Sequence, residues 1–239
     1  MMKSFFRWSA TLGLVGSTLL GTLLGGNLSA LALSPEEIVE QLKAVPVFTI
    51  ADEEGSPLVA SSSEGSDAIA GAFISQRDAI AFVEKLKQEN PELGNRVQVV
   101  PVSMGEIYQL NQETTSATDG LNFAYVPTQQ EVTQALTLLQ AQNPDLENFP
   151  GVPLFFARGA EQDGLLTIQV EGKQLVPFFF EREHLLQQVG DTQVKVEVIP
   201  LEGLIKAFEE GQNDEFFKNV MLVPSRESLQ FLRSLNQEQ

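Results

Sequence analysis

Apolar and polar positions along this chain fall into two periods, alternation for strands and three-to-four spacing for helices, and the order of the two runs twice. The first pass opens at Val45-Pro46-Val47-Phe48-Thr49-Ile50, which predicts a strand. Asp52-Glu53-Glu54-Gly55 predicts a turn, and Pro57-Leu58-Val59-Ala60 the returning strand. A polar loop over residues 61–67 leads to a third strand over Ala70–Ile74. Ser75-Gln76-Arg77-Asp78 has the form of a capping box, and Ala79, Phe82, Val83 and Leu86 make one apolar stripe of the helix it opens. Asn90-Pro91 ends that helix. A strand over Arg96–Val102, a short helix over Met104–Leu110, a polar loop over residues 112–120 and a strand over Asn122–Val126 follow. Thr128-Gln129-Gln130-Glu131 is a second capping box, before a helix carrying Val132, Ala135, Leu136 and Leu139. Upstream of all this, Ser34-Pro35-Glu36-Glu37 predicts a helix start.

The second pass begins at Val152-Pro153-Leu154-Phe155. Leu165–Val170 is the returning strand, and Gln174–Phe180 the third. A helix with Leu185, Leu186 and Val189, a strand over Val194–Leu201, a short helix with Leu204, Ile205 and Phe208, a strand over Val220–Val223 and a last helix with Leu229, Leu232 and Leu235 complete it. Proline falls at three equivalent places, Pro46 and Pro153, Pro101 and Pro200, Pro127 and Pro224. Proline removes a ladder donor, so these read as strand ends, edges or bulges. The expectation is an α+β fold of two pseudo-twofold halves from an internal duplication, with mixed or antiparallel sheets and flanking helices. The halves would span residues 33–148 and 149–239.

The residues before the first half read differently. Lys3 and Arg7 form a basic start, Leu12–Leu24 is apolar and uncharged, and Ala30-Leu31-Ala32 fits a small-x-small cleavage site. The alternative is an uncleaved anchor, but the apolar run is short for a spanning helix and carries Gly13, Gly16 and Gly21. Residues 1–32 are therefore expected to be a cleaved export signal. No later stretch is long and apolar enough to span a bilayer. Cleavage removes two bases and no acids, taking the net charge from −17 to −19. Nucleic acid is excluded as a partner on this balance, since phosphate binding needs clustered Lys and Arg. With no cysteine there is neither a disulfide framework nor thiolate chemistry.

Candidate chemistry is sparse. His184, the one histidine, sits in the first turn of a predicted helix and reads as a surface residue. Pro101-Val102-Ser103-Met104-Gly105 has the outline of a nucleophile elbow, but proline replaces its leading glycine, and the second pass carries Leu201-Glu202-Gly203 there. The spacing carries no zinc cluster, calcium loop or phosphate-binding glycine pattern. The expectation is a non-enzyme with no catalytic residues, no metal and no cofactor.

What remains is aromatic side chains on strands. Phe178, Phe179 and Phe180 stand in sequence, so Phe178 and Phe180 share one face and Phe179 takes the other. Phe48, Phe73, Phe123, Tyr125 and Phe155 lie on other strands. Either these fill a two-sided core, or Phe48, Phe73, Phe123, Tyr125, Phe155, Phe178 and Phe180 line an apolar groove for extended polypeptides.

Val45-Pro46-Val47-Phe48, Gly71-Ala72-Phe73-Ile74-Ser75, Val99-Val100-Pro101-Val102-Ser103 and Phe123-Ala124-Tyr125-Val126-Pro127 resemble, in that order, the twenty-two-kilodalton Tic subunit family of chloroplast import. The resemblance covers essentially all of the chain after the leader. It implies a soluble, pseudo-symmetric, chaperone-like factor for precursor polypeptides crossing an intermembrane space. The bacterial branch of the family implies outer-membrane biogenesis and a periplasmic or thylakoid-lumen location. Unfolded or precursor polypeptides are the expected partners. The alternative is an adaptor for a folded partner, such as a translocon or the outer-membrane β-barrel assembly machinery.

Overall fold

The computed structural model describes residues 12–14, 32–60, 68–114, 121–160, 164–211 and 214–235. Apart from residues 12–14 and Ala32, the expected export signal lies outside them. The first sheet is built from β2 (Pro46–Asp52), β3 (Val59–Ala60), β4 (Ala68–Phe73), β5 (Val97–Ser103) and β6 (Leu121–Val126). The second is built from β7 (Pro153–Gly159), β8 (Leu166–Val170), β9 (Lys173–Phe179), β10 (Val194–Pro200) and β11 (Val220–Val223), with β1 (Leu12–Leu14) added beside β8.

Both sheets are wired alike. The first strand of each runs antiparallel to the fourth over seven residue pairs, from Pro46↔Ser103 to Asp52↔Val97 and from Pro153↔Pro200 to Gly159↔Val194. It meets the third strand where Phe48 faces Phe73 and where Phe155 faces Phe179. The third strand is parallel to the fifth in both sheets. Pro46, Pro153 and Pro200 fall at strand ends, where a missing N–H costs the ladder little.

The inner faces meet across one central core. The first sheet contributes Val47, Ala70, Ala72 and Phe123, and the second Leu154, Phe156, Val176, Phe178 and Leu222. Three helices complete it: Ile38 and Leu42 on α1 (Pro35–Leu42), Met104 and Ile107 on α4 (Met104–Thr114), and Leu201, Leu204 and Phe208 on α7 (Leu201–Glu210). α1 starts as its sequence dictates, with a reciprocal capping box in which Ser34 Oγ accepts the Glu37 N–H at 3.2 Å and the Glu37 carboxylate accepts the Ser34 N–H at 2.9 Å. α4 crosses α1 so closely that a Cβ on Gly105 would lie 2.8 Å from the Val39 carbonyl oxygen.

The outer faces are covered by exchange. α2 (Gln76–Glu89) lies on its own sheet, and α6 (Arg182–Val189) on its own. However, α5 (Gln129–Gln140), which follows the last strand of the first sheet, packs on β7 and β10 of the second sheet. Its Ala135 is fully buried with Phe155, Phe179 and Leu185. In return α9 (Arg226–Leu235) packs on β2, placing Phe231 against Phe48, Ile50 and Phe73. Each sheet is thus covered in part by the helix that follows the last strand of the other.

Two short helices, α3 (Pro91–Gly94) and α8 (Asp214–Phe217), are additions to the expected elements. α3 exists because Asn90 caps it, accepting the Leu93 N–H through Oδ1 at 3.2 Å, with Pro91 in its first turn. α4 also runs to Thr114, further than its apolar residues reach.

Candidate functional site

The strand aromatics lie inside the two layers of core. None of Phe48, Phe73, Phe123, Phe155, Phe178 and Phe180 is more than 9% exposed, and Tyr125 is half-buried with its hydroxyl donating to the Met104 carbonyl at 3.4 Å. Phe178 and Phe180 point into the central core, with Phe178 5.0 Å from Phe156 between ring centroids. Phe179 points the other way, under α5 and α6. The alternation is as the sequence dictates, but both faces of the strand are covered, one by the first sheet and the central helices and the other by α5 and α6. The aromatics form three groups, Phe48 with Phe73 on one outer face, Phe155 with Phe179 on the other, and Phe123, Phe178 and Phe180 in the centre.

The large apolar side chains at the surface are others: Val59, Ile69, Ile80, Phe82, Leu110 and Leu235. Phe82 belongs to the stripe that helical spacing assigns to the core. It is 43% exposed and rests its ring 5.6 Å from Phe73 at the margin of the first sheet. Helical spacing marks which residues share a face, not how far the covered sheet extends beneath it.

An open cavity of about 630 Å³ lies beside the β8–β9 hairpin. Thr167, Gln169, Gln174 and Val176 line it from the strands, and Phe216 and Asn219 from the segment before β11. Its walls mix amide and hydroxyl groups with apolar surface. No spacing in the sequence joins residues 167 and 216; the fold brings them together.

The polar residues with candidate chemistry have structural work. Ser103 caps α4, accepting the Glu106 N–H at 3.0 Å while Glu106 accepts the Ser103 N–H at 2.8 Å. His184 is half-buried, not a surface residue, with its ring edge-on to Phe179 at 5.3 Å. Burial holds its pKa below the usual histidine value, against the pull of Glu181. In the acidic turn, Asp52 Oδ1 accepts the N–H groups of Glu54 and Ser56 at 3.0 and 2.8 Å. Among the described residues no group of three or more Asp, Glu, His or Cys is placed to hold a metal ion.

Three glutamates, one of them buried, hold chain crossings. Glu131, 5% exposed, accepts the Arg182 N–H at 3.0 Å, so a glutamate of α5 caps the N-terminus of α6. The second capping box of the sequence is therefore absent: Thr128 makes no side-chain capping bond, and the Glu131 carboxylate is turned to the neighbouring helix instead of back to Thr128. Burial raises the Glu131 pKa, and the Arg182 N–H opposes the rise. In the other half, Glu227 of α9 accepts the Arg77 N–H at 2.8 Å and the Ser75 hydroxyl at 3.0 Å, capping α2. Glu202, an exposed residue, accepts the Val152 N–H at 3.1 Å, and partial desolvation of its carboxylate raises its pKa.

Among solved structures, the chain is similar to Anabaena Tic22, a protein of protein transport. The TM-score is 0.75 at 30% identity, covering 84% of this chain and 97% of that one. Tic22 from Plasmodium falciparum shares the fold at a TM-score of 0.66 and 22% identity, over 84% of this chain and 98% of the other. Among curated proteins, Protein TIC 22, chloroplastic, of Arabidopsis thaliana is 25% identical over 86% of this chain and 74% of its own length. Protein TIC 22-like, chloroplastic, of the same plant is 23% identical over 83% of this chain and 64% of its own length. The model of the Tic22-like family matches residues 10–234, and the chain belongs to that family.

Proposed function

We propose that this protein is an exported, non-enzymatic transport factor that holds extended or partly unfolded polypeptides in the periplasm or thylakoid lumen. The observation that carries the reading is the likeness, in fold and at 30% identity, to Anabaena Tic22, a protein of protein transport. Apolar side chains at the surface and a strongly acidic balance support it, since together they favour weak, sequence-tolerant capture of apolar, basic stretches. The strand aromatics enter this reading as the frame of the sheets, because their rings are covered in the structure.

The test is dilution of a chemically denatured reporter enzyme into buffer with and without the protein, followed by light scattering. Suppression of aggregation near equimolar ratio is expected. Undiminished scattering at tenfold excess would overturn the holding activity. Saturable binding to one folded partner with no effect on scattering would establish an adaptor instead.

A further inference from the structure

The β8–β9 hairpin turns through Glu171 and Gly172, at φ 50° and 83°, with Val170 opposite Lys173. A two-residue turn of this kind makes Val170–Lys173 the hydrogen-bonded pair, and bonding then alternates along the ladder. Leu166 and Ile168 direct their backbone groups to β9, and Thr167 and Gln169 direct theirs to the opposite side. On that side β7 bridges the residues just ahead of β8, through the pair Arg158↔Leu165 and a Gly159 N–H donated to the Gly164 carbonyl at 2.9 Å. From there the ladder passes to Leu12–Leu14, with Leu14 opposite Leu166, Gly13 opposite Thr167 and Leu12 opposite Ile168. The strand that covers this side of β8 thus comes from the segment whose sequence marks it for removal.

We propose that the β8 edge is a polypeptide-binding site of the processed protein. An extended, apolar, non-acidic stretch of a client adds to it as an antiparallel strand, in the place Leu12–Leu14 holds before cleavage. This rests on the polypeptide-holding function and gives it a location. A sheet edge is a template for a further strand, because backbone bonding is indifferent to sequence. The leader itself shows the chemistry accepted: Leu12–Leu24 is uncharged and follows Lys3 and Arg7, while the rest of the chain carries −19 and repels acidic segments. The residue opposite Thr167 shares its face, where Thr167, Gln169 and Phe216 line the open cavity. The leader places Gly13 at that position, so a client residue with a side chain gains contacts there that the leader forgoes.

The test uses the full-length chain with its leader retained, and a Gly13→Pro variant that removes the N–H facing Thr167 without altering the folded body. The probe is a fluorescent peptide with the sequence of residues 7–18, and a copy N-methylated at its glycine. The variant should bind the peptide at least tenfold more tightly than the unaltered chain, and N-methylation should weaken binding at least tenfold. Bound peptide should slow hydrogen exchange at the Thr167 and Gln169 amides. Binding that ignores N-methylation, or leaves those two amides unprotected, would overturn the edge site. So would failure of both proteins to bind the peptide. Aggregation suppression, measured on the same samples, decides the holding function separately.

Discussion

The ring of Phe231, in the last helix of the chain, stands edge-on to that of Phe48 in the first strand of the first sheet, 5.3 Å between centroids and 76° between planes. This contact ties the C-terminal helix to a sheet finished a hundred residues earlier. Phe231→Ala removes it together with the apolar area that Phe231 covers. As Phe231 is only half-buried, a loss of about 2 kcal/mol is expected, below the range for a fully buried phenylalanine. A urea unfolding midpoint unchanged from wild type would contradict the packing of α9 on β2.

Glu131 and Arg182 make the matching link on the other side. Glu131→Ala strands the Arg182 N–H at a buried helix end and should cost about 1–3 kcal/mol. Glu131→Gln keeps an acceptor and removes a buried charge, so it should cost clearly less at pH 7. Equal losses in the two variants, measured by denaturant unfolding, would show that the hydrogen bond contributes nothing.

Phe178→Ser with Phe180→Ser tests folding rather than client contact. Both rings are at most 4% exposed, and deleting a buried phenylalanine costs about 3–5 kcal/mol. The pair removes most of the stability of an ordinary domain. The double variant should lose its cooperative thermal transition. A soluble variant with a normal melt and weakened client binding would return these rings to the binding surface.

His184 makes stability depend on pH. Burial lowers its folded pKa, so the unfolded chain takes up the proton first as pH falls through about 6.5. The stabilisation is fully present above that value and is lost on going down toward the folded pKa. Glu131 and Glu202, with raised pKa values, act in the opposite sense at lower pH, and they are common to wild type and variant. His184→Gln should therefore lose less stability than wild type between pH 7.5 and 5.5. Parallel pH profiles would contradict a buried neutral imidazole.

Much of the fold is legible in the sequence because strands, turns and helix starts are local. The order strand, strand, strand, helix, strand, helix, strand, helix stands in both halves, and Ser34 and Ser75 cap where they should. The destination of a helix is not local. The stripe Val132–Ala135–Leu139 fits either sheet equally, and only packing sends it to β7 and β10. Thr128-Gln129-Gln130-Glu131 has a capping-box form, yet the demand of the Arg182 N–H from a distant helix takes its glutamate. The same nonlocality explains the aromatics. Alternation places Phe178 and Phe179 on opposite faces, but it carries no record that both faces will be roofed. The cavity between Thr167 and Phe216 leaves no trace in any window of sequence.

The exchange of last helices also sets the order in which the chain becomes a protein. Residues 46–126 supply every strand of the first sheet and α2 covers part of its outer face, but the rest of that face stays open until Arg226–Leu235 arrives. Synthesis runs from N- to C-terminus, so nearly the whole polypeptide must exist before either sheet is sealed. A partial chain therefore cannot complete a compact body while its tail is still being made.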